Sequence, residues 1–327
     1  MKTINFVHKA KEALNGKDVR RLAAIHAGVT MAFGLVLTLL QYVILDGIGN
    51  TSGLSGMGMR SILETMNTVL QVANLVLLPF WNLGFLYVAL QWVRGNQPEN
   101  RDLLTGFRRV GPCLGLLLNR LMLAICVLIL AANVSSMLYM QMPSSQWIRD
   151  LAADFTDLET MQAYLFSLDM EQTMAILWDM IPLVVMNLAL SAVILIPMFY
   201  RFRMAEFTIL NYPGMRGLAA LLVSAALMRR RCWQLFKLDL RLWWYYGLKL
   251  LCMLILYLNV ILSLLGITVG SDLLFITLYL AGVFIVDMLF RPLVDTAYSA
   301  FYEKLVELGP IPKKRMFTMP QQMPPEE

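Results

Sequence analysis

Three charged residues near the end of the last apolar stretch carry the strongest indication of chemistry in this chain. Asp287, Arg291 and Asp295 are spaced four residues apart, and side chains at that spacing meet on one face of a helix. A charge in the middle of a membrane span costs about 2.5–3.5 kcal/mol, so such a residue usually has a partner or a function. The spacing therefore predicts a ladder of ion pairs along the inner end of that helix.

Other polar residues lie close to three prolines that we expect to bend membrane helices. The returning helices share a proline, with Pro79 and Pro197 inside their apolar stretches and Pro292 just after the last one; proline removes a backbone donor and kinks a helix. If the bends converge, one polar pocket facing the cytoplasm would collect Asn82, Arg201, Arg203, Asp287, Arg291 and Asp295. The alternative is a structural salt bridge that fixes helix packing, and the sequence favours this alternative.

Two further charges inside apolar stretches have a simpler explanation. Lys249 follows the aromatic run Trp243–Tyr246, and Arg120 lies at a similar depth in the third stretch. Long basic side chains near the end of a span reach the membrane surface with their charged ends, and Trp and Tyr mark that surface. We therefore expect both residues to extend to the lipid headgroups.

The residue types that catalysis and metal binding use are scarce. His8 and His26 are the only histidines, which are too few for a histidine metal site. The four cysteines lie in or beside apolar stretches without a Cys-x-x-Cys pair, so disulfides and a zinc site are not expected. The sequence contains no HExxH, P-loop or dinucleotide-binding motif. It thus predicts a protein that is not an enzyme and that holds no metal and no cofactor.

The elements that would position the charged residues are six apolar stretches. The chain is 58% hydrophobic and 15% charged, with a mean hydropathy of +0.63, whereas soluble domains carry about a quarter charged residues. A helix needs about 20 apolar residues to cross a bilayer. The sequence predicts an all-α integral membrane protein with six transmembrane helices near Leu22–Ile44, Val69–Val93, Leu114–Met140, Ile176–Phe199, Trp243–Leu265 and Leu273–Phe290.

Basic residues are concentrated in alternate loops. Lys and Arg number six in residues 1–21, four in 94–110, eight in 201–241 and five from Arg291 onward, and the other loops hold just two. Because basic loops stay cytoplasmic, both termini are expected in the cytoplasm. The basic residues are expected to meet membrane lipids with anionic headgroups. No nucleic acid partner is expected, because the chain has no basic soluble module.

This pattern divides the chain into three parts. Residues 1–21 are predicted to form a cytoplasmic amphipathic segment and residues 22–309 a membrane domain. Within that domain the acidic loop 142–175 is expected to be an external insertion. Residues 310–327 are expected to form a disordered cytoplasmic tail, because they offer almost nothing to bury.

A short basic elbow occurs three times, each time before an outward and a returning helix. The elbows are Ala13–Lys17, Leu103–Phe107 and Ala226–Arg230. They predict three repeated helix hairpins with amphipathic helices lying in the membrane interface. In the third unit, residues 217–240 are expected to form an amphipathic helix followed by a turn. The lipid-binding residues of this elbow would be Arg229, Arg230, Arg231, Trp233 and Phe236.

The third elbow also carries a family resemblance. Ser224, Leu227-Met228-Arg229 and the run Trp233–Leu240 followed by Trp243 resemble a bacterial polytopic family catalogued as domain of unknown function 975. Its members show a serine, a Met-Lys-Gly-like turn and a Trp-x-Leu-Phe-x-Leu-x-Leu run. One departure is Arg230, which stands where the family has the turn glycine. Further similar residues are Gly84, Arg94-Gly95, Leu104, Gly106-Phe107, Pro292, Thr296, Ala297 and Ala300–Glu303.

The resemblance implies a six-span protein of the bacterial cytoplasmic membrane, distantly similar to membrane regions of glycerophosphodiester phosphodiesterases. It implies no established activity, so two functions stay open. The sequence favours a non-catalytic membrane component in envelope assembly or a partner complex, because the spans are poor in charge. The alternative is a transporter or lipid-handling permease with a cytoplasm-facing polar pocket. The sequence does not decide between a membrane protein partner and a homo-oligomer.

Overall fold

The computed structural model describes residues 5–15, 18–50, 57–147, 149, 169–212, 214–264 and 272–308, and these residues include no β-strand. In chain order the helices are α1 (Phe6–Leu14), α2 (Val19–Asn50), α3 (Met57–Val93), α4 (Thr105–Arg108), α5 (Val110–Tyr139), α6 (Met170–Phe202), α7 (Ala205–Asn211), α8 (Gly217–Leu227), α9 (Cys232–Arg241), α10 (Trp243–Leu264) and α11 (Asp272–Leu308). The acidic loop 142–175 is described only at its two ends, and the tail 310–327 lies outside the described residues.

Five of these helices provide segments long and apolar enough to cross a membrane. The segments are Val19–Ile44, Arg60–Val93, Val110–Tyr139, Met170–Asn211 and Leu274–Leu308. A helix rises about 1.5 Å per residue, so each can span a hydrocarbon core about 30 Å thick. The prediction of an all-α, multi-pass membrane protein is therefore confirmed at this level.

The long helices form two groups. In the four-helix group, α11 packs against α2, α3 and α10. In the second group, the α5–α6 pair, α5 and α6 pack mainly against each other. Across the described residues, α6 makes no comparable contact with α10 or α11 along its length. The surface available to lipid is consequently large on α5 and α6, where few side chains of the span are buried.

The short helices gather at one end of the bundle, which we call the basic end. It is the end at which α3, α6 and α11 finish and α2, α5 and α10 begin. Here α1 packs on α11, α4 packs on α3, and α8 packs on α5 and α7. The short helices thus join the two groups of long helices at this end.

The predicted amphipathic helix at the N-terminus exists, but it is docked onto protein. Ala10 on α1 is fully buried, and the ring of Phe6 lies edge-on to Phe301 of α11 with centroids 5.3 Å apart. Its apolar face therefore packs on the apolar end of α11.

The second elbow approaches α3 at two glycines. A Cβ at Gly84 would overlap the backbone carbonyl of Leu103, and a Cβ at Gly106 would overlap the carbonyl of Phe80. Only glycine allows backbones to come this close. These two positions fix the elbow between α3 and α5 against the helix.

The three prolines lie inside helices as expected. Pro79 is within α3, Pro197 within α6 and Pro292 within α11, and α6 contains a further proline, Pro182. Each helix continues through its proline. Their role as kinks stays a prediction.

Candidate functional site

A polar cavity of about 270 Å³ lies at the basic end, between the α5–α6 pair and the four-helix group. One wall comes from α3, two come from α10 and α11, and the last comes from the junction of α6 and α7. The lining residues are Asn82, Leu86, Arg203, Glu206, Phe207, Tyr245, Tyr246, Lys249, Arg291, Val294, Asp295 and Tyr298. Four of the six residues predicted for a polar pocket are among them.

The ladder on α11 has the geometry that its spacing predicts. Arg291 Nε donates to Asp295 Oδ2 at 3.1 Å, and Arg291 Nη1 lies 3.6 Å from Asp287 Oδ2. From α3, Asn82 Oδ1 accepts a hydrogen bond of 2.8 Å from Arg291 Nη2. One arginine therefore links two carboxylates of its own helix to a neighbouring helix.

Asp287 is buried beneath this cavity, with 4% of its surface exposed. Lys249 Nζ lies 2.8 Å from Asp287 Oδ1, and the Tyr245 hydroxyl donates to the same oxygen at 2.8 Å. Lys249 was expected to extend to the headgroups; its ammonium instead pairs with a buried carboxylate on α11. Arg120 likewise binds Glu206 and the carbonyl oxygen of Phe202.

Arg203 joins three helices at the cavity wall. Its Nη1 donates to Asp239 of α9 at 2.9 Å, and its Nη2 donates to the Tyr246 hydroxyl at 3.0 Å. The guanidinium also lies over the ring of Tyr298, 4.2 Å from its centroid. Tyr298 in turn donates to Asp239 at 2.5 Å. This cluster ties the end of α6 to α9, α10 and α11.

Arg201 does not belong to the cavity. It lies two residues before Arg203 and is exposed, while its backbone carbonyl accepts a hydrogen bond from Ser224. Successive side chains of a helix point about 100° apart, so residues two apart face nearly opposite directions. Arg203 and Arg201 thus have different surroundings despite their closeness in sequence.

The structure adds residues that the sequence did not assign to the site. They are Arg120, Glu206, Asp239, Tyr245, Tyr246, Lys249 and Tyr298. The surrounding charges balance, with four basic side chains (Arg120, Arg203, Lys249, Arg291) and four acidic ones (Glu206, Asp239, Asp287, Asp295). The sequence contained one signal for these residues. Opposite charges stand on different apolar stretches, and charges at the same membrane depth tend to pair with one another.

The third elbow differs in order from its prediction. Instead of one amphipathic helix before a turn, residues 217–240 hold α8, a turn and α9. Helix α8 is apolar on all sides and is largely buried against α5, α6 and α7. Helices that are apolar all round are typically buried. Arg230 in the turn has φ 64°, the left-handed conformation that favours glycine. The amphipathic helix is the one after the turn, α9.

The predicted lipid-binding residues of this elbow have different surroundings. Arg229 and Arg230 are exposed, whereas Arg231 donates to the carbonyl oxygens of Leu305 and Leu308 at 3.4 Å, near the end of α11. Trp233 and Phe236 are 63% and 38% exposed, and their rings stack with centroids 5.0 Å apart. Arg231 thus contacts protein, while the other four residues are available to the membrane surface.

His26 is buried in an aromatic cluster near the start of α2. Its ring stacks on Trp81 at 5.3 Å and lies 4.5 Å from the ring of Phe85, and its Nε2 has no hydrogen-bond partner. Across the described ranges, no group of three His, Cys, Asp or Glu side chains could hold a metal ion.

Comparison of the chain with protein-family models, curated proteins and solved structures gives no match. The resemblance to the family of unknown function stays a prediction.

Proposed function

We propose that this chain is a six-span protein of the bacterial cytoplasmic membrane with both termini in the cytoplasm. The sixth span would be α10, which has 22 residues, added to the five segments already identified. Basic residues at the ends of α3, α6 and α9 support a cytoplasmic basic end. The three elbow-and-hairpin units and the distant similarity to phosphodiesterase membrane regions belong to the same proposal.

The proposed activity is binding of a small ligand that carries both charges, as a permease or lipid-handling protein does. The observation that carries this proposal is the cavity of about 270 Å³ lined by basic, acidic and tyrosine side chains. Such a lining offers donors to an anion and acceptors to a cation at the same time. Membrane transporters hold substrates between helix groups of this kind. We propose no catalytic role and no cofactor.

The second candidate is the non-catalytic membrane component favoured by the sequence. It is supported by the ion pairs around the cavity, because every one of the eight charged side chains already contacts an opposite charge. The exposed apolar length of α5 and α6 would then receive a membrane partner. Ligand binding at the cavity distinguishes the two candidates.

Thermal unfolding of the purified full chain with soluble probes tests the proposal. Phosphoethanolamine carries both charges, whereas ethanolamine and glycerol phosphate carry one each. Of the three probes, we expect only phosphoethanolamine to stabilise the chain. The gain in unfolding free energy should be about 2.7 kcal/mol at a hundred times its Kd. Val294→Phe fills the cavity without changing a charge and should abolish the effect. Val193→Phe, on an exposed part of α6, is the matched control and should retain it.

A further variant covers the case in which Val294→Phe fails to fold. Glu206→Gln removes one acceptor charge from a side chain that is 36% exposed, so it should fold and bind phosphoethanolamine more weakly. If no probe stabilises the chain, and neither variant differs from the parent, the non-catalytic candidate replaces the binding proposal.

A further inference from the structure

Apolar strips lead from the cavity into the membrane along α6 and α10. The two helices meet at the basic end, where Arg203 binds Tyr246 at 3.0 Å. Beyond that contact α6 packs on α5 and α10 packs on α11. Phe199, one turn from Arg203, and Leu250, one turn from Tyr246, are 58% and 60% exposed. Exposed apolar side chains therefore continue the cavity wall on both helices.

The next turns extend the same strips. Ile196 is seven residues from Arg203, and Met253 is seven residues from Tyr246, which is the spacing of one helix face. Both side chains are exposed large hydrophobic residues. In the described segments of α6 and α10, these strips are open to hydrocarbon without any movement of side chains.

The aromatic residues at the cavity indicate that it lies near the headgroup side of the membrane. Tyr245 and Tyr246 line it, and they follow Trp243 and Trp244 directly in the sequence. Trp and Tyr concentrate at the interface between headgroups and acyl chains. At 270 Å³ the space lies just below the range of drug-sized pockets, about 300–1,000 Å³. It therefore suits a headgroup without its acyl chains.

The polar groups of the lining have unused hydrogen-bonding capacity. A lysine has three donors and an arginine five, while a carboxylate has about four acceptor sites. Lys249 contacts Asp287, and Arg203 contacts Asp239 and Tyr246. The remaining donors of Lys249 and Arg203 suit a phosphate, and the carboxylates of Asp295 and Glu206 suit an ammonium group.

The tyrosines favour a primary over a quaternary ammonium. Aromatic faces bind quaternary ammonium groups when the faces are free. Here the protein's own cations cover two of them, with Arg203 4.2 Å from the Tyr298 centroid and Lys249 Nζ 5.0 Å from the Tyr245 centroid. A ligand cation must instead donate hydrogen bonds to the carboxylates, which a quaternary ammonium cannot do.

We propose that the cavity holds the headgroup of one phospholipid with a primary ammonium group, whose acyl chains lie along the strips of α6 and α10. The inference rests on the proposed function and names its ligand class. The lipid would come from the membrane leaflet at the basic end, and it would reach the cavity sideways between the two helices.

Native mass spectrometry of the full chain in detergent tests this inference. The chain is mixed with equal amounts of phosphatidylethanolamine, phosphatidylcholine and phosphatidylglycerol. We expect one retained phosphatidylethanolamine per chain, at least tenfold over the other two lipids. Leu250→Gln should reduce retention about tenfold. Leu251→Gln is the matched control, because Leu251 is also a leucine, is 58% exposed and points about 100° away.

The outcomes separate this inference from the proposed function. Equal retention of the three lipids, or equal effects of the two leucine variants, overturns the lipid inference. If phosphoethanolamine stabilises the chain while no lipid is retained, the inference fails and the proposed function stands. If Val294→Phe leaves lipid retention unchanged, the retained lipid is outside the cavity and the inference is likewise overturned.

Discussion

The guanidinium of Arg203 lies 4.2 Å from the centroid of the Tyr298 ring, which joins the end of α6 to α11. Asp239 binds both partners, accepting hydrogen bonds from Arg203 at 2.9 Å and from Tyr298 at 2.5 Å. Because α6 does not pack along α10 or α11 in the described segments, this cluster is a principal connection between the α5–α6 pair and the four-helix group. Its integrity should control both stability and the shape of the cavity.

Replacing Arg203 should therefore be much more costly than replacing Arg201. Arg203→Met leaves Asp239 without its arginine in a partly buried site, and we expect a loss of about 3 kcal/mol of unfolding free energy. Arg201→Met removes an exposed charge and should change stability by less than about 0.5 kcal/mol. Denaturant unfolding in mixed micelles measures both variants. Equal stability of the two would contradict a structural role for the Arg203 cluster.

Gly84 should not tolerate a methyl group. In Gly84→Ala the new Cβ overlaps the backbone carbonyl of Leu103, and because that atom belongs to the main chain the second elbow must shift. We expect the free energy of unfolding to fall by about 1–3 kcal/mol or more. The matched control is Gly111→Ala on α5, where a Cβ meets nothing within 4 Å. This change should be neutral or stabilising by up to about 1 kcal/mol, and thermal unfolding distinguishes the two.

Arg230→Gly should stabilise the chain. The φ of 64° at Arg230 is unfavourable for a residue with a Cβ by about 1–2 kcal/mol, and the greater unfolded-state entropy of glycine cancels part of that gain. We expect a net gain of about 0.5–1 kcal/mol. Arg229→Gly removes the same charge from a residue without positive φ, so it should bring no gain. A stabilisation shared by both variants would assign the effect to charge instead of backbone conformation.

The proposed orientation can be tested by labelling single cysteines in intact cells. The four native cysteines are replaced, and one cysteine is introduced at Glu64 or Glu307, which lie at opposite ends of the bundle. A membrane-impermeant maleimide should label position 64 directly and position 307 only after permeabilisation. The reverse pattern would place the basic end outside and overturn the orientation.

The sequence predicted the part of the site that depends on local spacing. Asp287, Arg291 and Asp295 meet because residues four apart on a helix always lie on one face. It did not predict that Lys249 binds Asp287, because that pair depends on how α10 rotates against α11. It also grouped Arg201 with Arg203, although helix rotation separates them.

The sequence by itself determined that this protein lies in a lipid membrane and that it is helical. Long runs of apolar residues cannot leave backbone groups unpaired in lipid, so they form helices of membrane length. Only the tertiary structure decided which polar side chains share a cavity and which helices leave a gap. Those features depend on the rotation and contact of helices distant in sequence, and no local spacing encodes them. The Arg203 cluster and the strips of α6 and α10 are of this second kind, because each joins residues from separate spans.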